Sequence, residues 1–122
     1  MSSRQRGDKI ELLAANYLKE QGLRLVDKNF NSRYGEIDLI MLDQSTLVFV
    51  EVRFRANTAF GSGAETVNYR KQEKIIKTAQ LYLQSNQKMQ HRDCRFDVVS
   101  VTLAAQKPLI EWHQNAFQAS AW

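Results

Sequence analysis

The stretch from Glu36 to Phe54 reads EIDLIMLDQSTLVFVEVRF, and its two apolar runs decide the fold class. Glu36 to Leu42 and Thr46 to Phe54 have strand length and are rich in Ile, Leu, Val and Phe. Asp43-Gln44-Ser45 links them, which predicts a tight hairpin. With Gln44 and Ser45 as a two-residue turn, counting outward puts Asp38 opposite Glu51 and Glu36 opposite Arg53. Opposite Cβ atoms in such a ladder lie roughly 4.5–5.5 Å apart, and like charges so placed repel. A divalent cation offsets that repulsion, and two carboxylates with water and phosphate oxygens suit Mg²⁺. The alternative is a surface lattice in which Arg53 pairs with Glu36 directly and with Asp38 diagonally, contributing little stability. From spacing alone the lattice is the commoner use of such a pattern. A one-residue bulge would undo the opposition altogether.

Working outward, Leu23 to Phe30 reads as a third strand and Asn31 to Gly35 as a turn. Before it, Ile10, Leu13, Ala14, Tyr17 and Leu18 recur at helix-face spacing, predicting a helix over Gly7 to Gly22. Asp8 suits the positive end of that helix and Gly22 its stop. Residues 1–6 read as a loose basic arm. After the hairpin, Arg55 to Glu65 is a polar loop in which Phe60-Gly61-Ser62-Gly63 is either a substrate-admitting segment or an ordinary turn. A helix is expected over about Thr66 to Gln87, capped by Thr66 or Asn68. Its buried stripe is Val67, Ile75, Ile76, Ala79, Tyr82 and Leu83. Arg95 to Leu103 is another strand, Pro108 sits in a turn, and Leu109 to Trp112 forms a short last strand. The tail after 115 carries no clear pattern. This order predicts one domain over residues 1–122, an α/β or α+β mixed sheet flanked by helices.

The 122 residues are 43% hydrophobic and 25% charged, ordinary values for a folded domain. The formal charge of +4 is compatible with a polyanionic partner. Cys94 is the sole cysteine, so no internal disulfide forms, which fits a reducing cytoplasm. It reads best as a core or boundary residue, and no zinc-type Cys/His spacing exists. The polar start lacks the apolar stretch of a signal peptide, and no run approaches membrane-helix length. No membrane partner is expected.

Three further groups of residues matter. Glu11 lies at the edge of the first helix's buried stripe, as a ligand for metal or water or, more commonly, a solvated flank charge. Arg70, Lys71, Lys74 and Lys77 share one face of the second long helix, which either contacts phosphates or is simply solvated. Tyr69 and Gln72 lie near that face, with Tyr69 expected to be packed. Trp112, Phe117 and Trp122 read as core or interface residues rather than stacking platforms.

Gly35-Glu36-Ile37-Asp38-Leu39-Ile40, Val48 to Arg55 (VFVEVRFR) and Cys94 to Val99 (CRFDVV) together resemble the YraN family. Glu11 with Ala14, Tyr17 and Leu18 resembles its first helix, and Asn115-Ala116-Phe117 its closing segment. That family is similar to restriction-endonuclease-like nucleases, especially archaeal Holliday junction resolvases. The resemblance implies a mixed sheet flanked by helices and a Mg²⁺- or Mn²⁺-dependent site. It implies Asp38 and Glu51 as metal ligands, Glu11 as the helix-borne acid, and Arg53 at a position where lysine is usual. An arginine there can steady a phosphate but cannot lose its proton to act as a base.

The leading expectation is a metal-dependent endonuclease acting on DNA, including branched DNA, as a cytoplasmic protein and by analogy a homodimer. Asp38, Glu51, Arg53 and Glu11 would form its catalytic set, and Arg55, Arg70, Lys71 and Lys74 would hold the nucleic acid. Two alternatives stand beside it. One is a non-catalytic nucleic-acid-binding module of the same fold, favoured by Arg53. The other is a protein-interaction scaffold built on the aromatic C-terminal segment.

Overall fold

The computed structural model describes residues 2–55, 67–103 and 107–119. The first helix, α1, runs over Ser3–Glu20. Ser2 starts it with a reciprocal capping box: its Oγ accepts the Gln5 N–H at 3.1 Å, and Gln5 Oε1 accepts the Ser2 N–H at 2.9 Å. The basic arm expected over 1–6 is therefore helical from Ser3, and Asp8 falls beyond the first turn. Gly22 closes α1 at φ +99°, a conformation glycine adopts without a Cβ penalty.

Three consecutive strands follow: β1 (Arg24–Ser32), β2 (Gly35–Asp43) and β3 (Thr46–Arg55). The Gln44-Ser45 turn is as expected, with Asp43 facing Thr46 and the ladder running to Leu39 and Val50. The β1–β2 turn is tighter than expected, since Ser32 pairs with Gly35 around Arg33 and Tyr34. The second helix, α2, spans Tyr69–Ser85, and Asn68 caps it by accepting the Lys71 N–H at 2.9 Å. Of the two caps considered, Thr66 lies outside the described residues, as does Phe60 to Gly63. A short 3₁₀ turn over Gln87–Met89 leads to β4 (Cys94–Leu103). The last strand, β5 (Pro108–Phe117), is longer than the segment expected over 109–112, and Pro108 is its first residue rather than part of a turn.

The sheet order is β1-β2-β3-β4-β5. Neighbours are antiparallel except β3 and β4, which run parallel and are joined through α2. The result is a mixed five-stranded sheet with a helix on each face. On one face Ile10, Ala14 and Leu18 of α1 pack with Leu39, Val50 and Val99. On the other, Ile75, Ala79 and Tyr82 of α2 pack with Ile40, Phe49 and Phe96. Because β3 and β4 are covered on both sides, their sequences are continuous apolar runs rather than alternations. Among the described residues no helix is long and apolar enough to cross a membrane.

Candidate metal centre

β2 changes character at Asp38. Ile40 and Leu42 face α2, and strict alternation would turn Ile37 away from that helix. Ile37 nevertheless packs in the α2-side cluster with Ile40 and Ile75. The ladder to β3 also stops at Leu39 and Val50, one pair short of the expected Asp38–Glu51 opposition. Asp38 instead accepts the Val52 N–H through Oδ2 at 2.8 Å. Its carboxyl still feels the Glu51 charge and both line one cavity, so the two acids are neighbours without being ladder partners.

On β1, Asn29 adopts φ +52°, and its Nδ2 donates to Glu11 Oε1 at 2.9 Å and to Glu36 Oε1 at 2.7 Å. One amide thus ties an acid from α1 to an acid from β2. Carboxylate oxygens of Glu11, Glu36 and Asp38 all lie within 4.8 Å of one another. This acidic group can hold a metal ion, and its all-oxygen donors suit a hard divalent cation.

The electrostatics follow from burial and crowding. Burial, then the neighbouring Glu51 charge, push the Asp38 carboxyl up to about 8, against the pull of the Val52 N–H. Burial also raises Glu51, which is 5% exposed, while Lys71 pulls it back. Glu11 is raised by burial, and the Asn29 amide opposes that shift. The acids cannot all ionise cheaply without a cation among them, which is the condition a metal would relieve.

The basic residues divide. Lys71 Nζ lies 3.2 Å from Glu51 Oε1, with its side chain 45% exposed. Lys71 and Lys74 line a cavity of about 300 Å³ with Tyr34, Glu36, Asp38 and Glu51. Arg53 pairs across to Ser100 on β4, and its charge also draws Glu51 down. Among the described residues Arg53 makes no ion pair with Glu36 or Asp38, so the surface lattice does not form. Arg55 is buried and so unavailable to an exposed strand, whereas Arg70 is exposed. Gln72 donates to the Val67 carbonyl at 2.9 Å. Tyr69 is 73% exposed, a correction to its expected packing, because it opens α2 on the side away from the sheet.

The sequence alone points neither to Asn29 nor to Glu36 as a member of the acidic group. The available signal for Asn29 is an asparagine inside a strand, where that residue type is depleted. The fully buried Asp97 is structural: it accepts from Arg95 Nε at 3.1 Å, Trp112 Nε1 at 2.9 Å and the Asn115 N–H at 2.9 Å. Trp112 also meets Tyr17 edge-on, and Phe117 stacks on Phe96. Those two aromatics are thus packed inward, which weakens the scaffold reading; Trp122 lies outside the described residues.

The model of the uncharacterised protein family UPF0102 matches residues 10–101. A UPF0102 protein of Stutzerimonas stutzeri is 47% identical over 117 residues, covering 96% of this chain and 98% of the relative. One from Pseudomonas aeruginosa is 45% identical over 120 residues, covering 97% and 96%. One from Saccharophagus degradans is 50% identical over 111 residues, covering 91% of each.

Proposed function

The chain belongs to the uncharacterised protein family UPF0102, and from the acidic group and its basic border we propose a divalent-metal-dependent phosphodiesterase acting on DNA. We read the mixed sheet with its flanking helices as a restriction-endonuclease-like fold. The observation that carries the proposal is the meeting of Glu11, Glu36 and Asp38 beside a lysine-lined cavity. Carboxylates alone would repel a nucleic acid; carboxylates that hold a cation beside exposed lysines would attract its phosphates.

Glu11, Glu36 and Asp38 would hold Mg²⁺ or Mn²⁺, which supplies Lewis-acid polarisation of a phosphodiester and activation of water. Asn29 keeps Glu11 and Glu36 together. Glu51 sits against Asp38, where its ionised form can accept a proton from attacking water. Lys71, 3.2 Å from Glu51 Oε1, favours the ionised form of Glu51 and lines the cavity, where it can steady the phosphate. Arg53 adds a fixed positive charge near Glu51 and cannot serve as a base.

The test is cleavage of labelled linear and branched DNA with Mg²⁺ or Mn²⁺, comparing the parent with Asp38→Ala. The variant is expected to lose more than the roughly 10- to 100-fold that removal of an outer metal-site partner costs. Equal cleavage by both proteins would refute the mechanism. A second reading, a binding module without catalysis, is favoured by Arg53 and by the engagement of Glu51 with Lys71. That module would hold DNA equally well with chelator present and cut nothing.

A further inference from the structure

The turn carrying Arg33 and Tyr34 is fastened to α2. Ser32 Oγ and Thr78 Oγ1 share a hydrogen bond at 2.8 Å, and Ser32 Oγ also accepts the Tyr34 N–H at 3.1 Å. Thr78 is fully buried, so this link fixes the turn against the helix from the inside. Gly35 brings the turn close: its φ is +157°, and a Cβ there would lie 3.7 Å from the Lys74 Cβ.

On that anchored turn, Tyr34 gathers cations. The Arg33 guanidinium lies 5.0 Å from the centroid of the Tyr34 ring and donates to its hydroxyl at 3.0 Å. The Lys77 ammonium lies 5.4 Å from the same centroid. Lys74 stands one helical turn before Lys77 and shares the cavity wall with Tyr34. Among the described residues none of Arg33, Lys74 and Lys77 is paired with a carboxylate, in contrast to Lys71.

We propose that Arg33 and Lys77, ordered around Tyr34, together with Lys74 on the cavity wall, form a preformed clamp for the sugar–phosphate backbone of a nucleic-acid strand entering the acidic cavity. This deepens the proposed function and rests on it. Unpaired cations held together by an aromatic ring lose little freedom when a polyanion arrives, so their charge is available for counterion release. The clamp adjoins the cavity of Asp38 and Glu51, which selects a strand led to those acids over an acidic protein surface. It also moves the expected interface: Arg55 is buried, whereas the exposed Arg33 stands in the β1–β2 turn next to the cavity-lining Tyr34.

The test is fluorescence anisotropy of the full chain with labelled oligonucleotides, with Ca²⁺ in place of Mg²⁺ or Mn²⁺ to fill the acidic group while slowing cleavage, across a salt series. Arg33→Ala and Lys77→Ala should each weaken binding and lower the slope of log affinity against log salt by about one. Tyr34→Ala should weaken binding although no charge is lost, while Tyr34→Phe keeps the ring and binds nearly as the parent does. Lys88→Ala, away from the turn, controls for loss of one charge, and amide spectra confirm that each variant is folded. Parent-like slopes in both charge variants would overturn the clamp while leaving the phosphodiesterase reading intact. Equal competition by polyglutamate of matched charge would make the rim a general polyanion surface and overturn its assignment to nucleic acid. Absence of DNA binding even at low salt would overturn both proposals. Undiminished cleavage by Asp38→Ala would remove the catalytic mechanism alone.

Discussion

Asn29 holds a left-handed backbone in mid-strand and two carboxylates with one amide. Asparagine tolerates that conformation, whereas a β-branched residue there would cost about 1–2 kcal/mol. Asn29→Val is therefore expected to lose at least that much stability in urea denaturation. Asn29→Gly keeps the backbone, loses the amide, and should weaken divalent-metal binding more than it weakens the fold. A glycine variant with parent-like metal affinity would deny Asn29 its positioning role. Asp38 gives a pH prediction. Its ordinary value of 3.8 is raised to about 8, so the folded chain keeps a proton that the unfolded chain has released. The resulting stability is full below about pH 4 and is lost as pH rises through 8, at up to ~1.4 kcal/mol per unit. Asp38→Asn should flatten that decline in denaturation measured across the range; an unchanged slope would place the proton elsewhere. Metal affinity should rise over the same window, since the cation needs the ionised form.

At the scale of elements, α2 brings Lys71, Lys74 and Lys77 to the site, and Asn68 fixes where that helix begins. Asn68→Ala should cost about 1 kcal/mol of stability by thermal or urea denaturation, the usual loss for a helix cap. No measurable loss would mean that packing of Ile75 and Ala79 alone sets the start. The Gln44-Ser45 hairpin and its register as far as Leu39 and Val50 were legible in the sequence, because a two-residue loop fixes register locally. What lies beyond that pair was not. The departure from the ladder depends on the Asp38 carboxyl taking the Val52 N–H, and hence on contacts distant in sequence. The start of α1 lies earlier than its apolar spacing indicates because Ser2 and Gln5 form a capping box ahead of any apolar periodicity. Apolar spacing reveals the buried face of a helix and is silent about a polar first turn.

At the scale of the whole molecule, the sheet lies between two helix-lined cores, and the acids stand where α1, β1, β2 and β3 converge. Phe49 belongs to the α2-side core and contacts both Tyr82 and Phe96. Phe49→Ala should cost about 3–5 kcal/mol, read as a lower denaturation midpoint. That loss exceeds what any surface lysine variant should show, so binding defects at Arg33 or Lys77 can be separated from unfolding. Mixed-sheet architecture was readable from the order of apolar runs. The acidic group is only partly legible in the sequence: Asp38 and Glu11 stand out as candidates, whereas Glu36 enters only as the expected ladder partner of Arg53. Its place beside Glu11 depends on Asn29, which no periodicity marks.

The most direct test is a divalent-metal titration of the folded chain, following backbone amide shifts by NMR with Asp38→Ala as control. Saturable shifts centred on Glu11, Asn29, Glu36 and Asp38, with a smaller response at Glu51 and Lys71, are expected, all lost in the variant. Millimolar Mg²⁺ and Mn²⁺ that leave those amides unmoved, or move them equally in Asp38→Ala, would contradict that expectation.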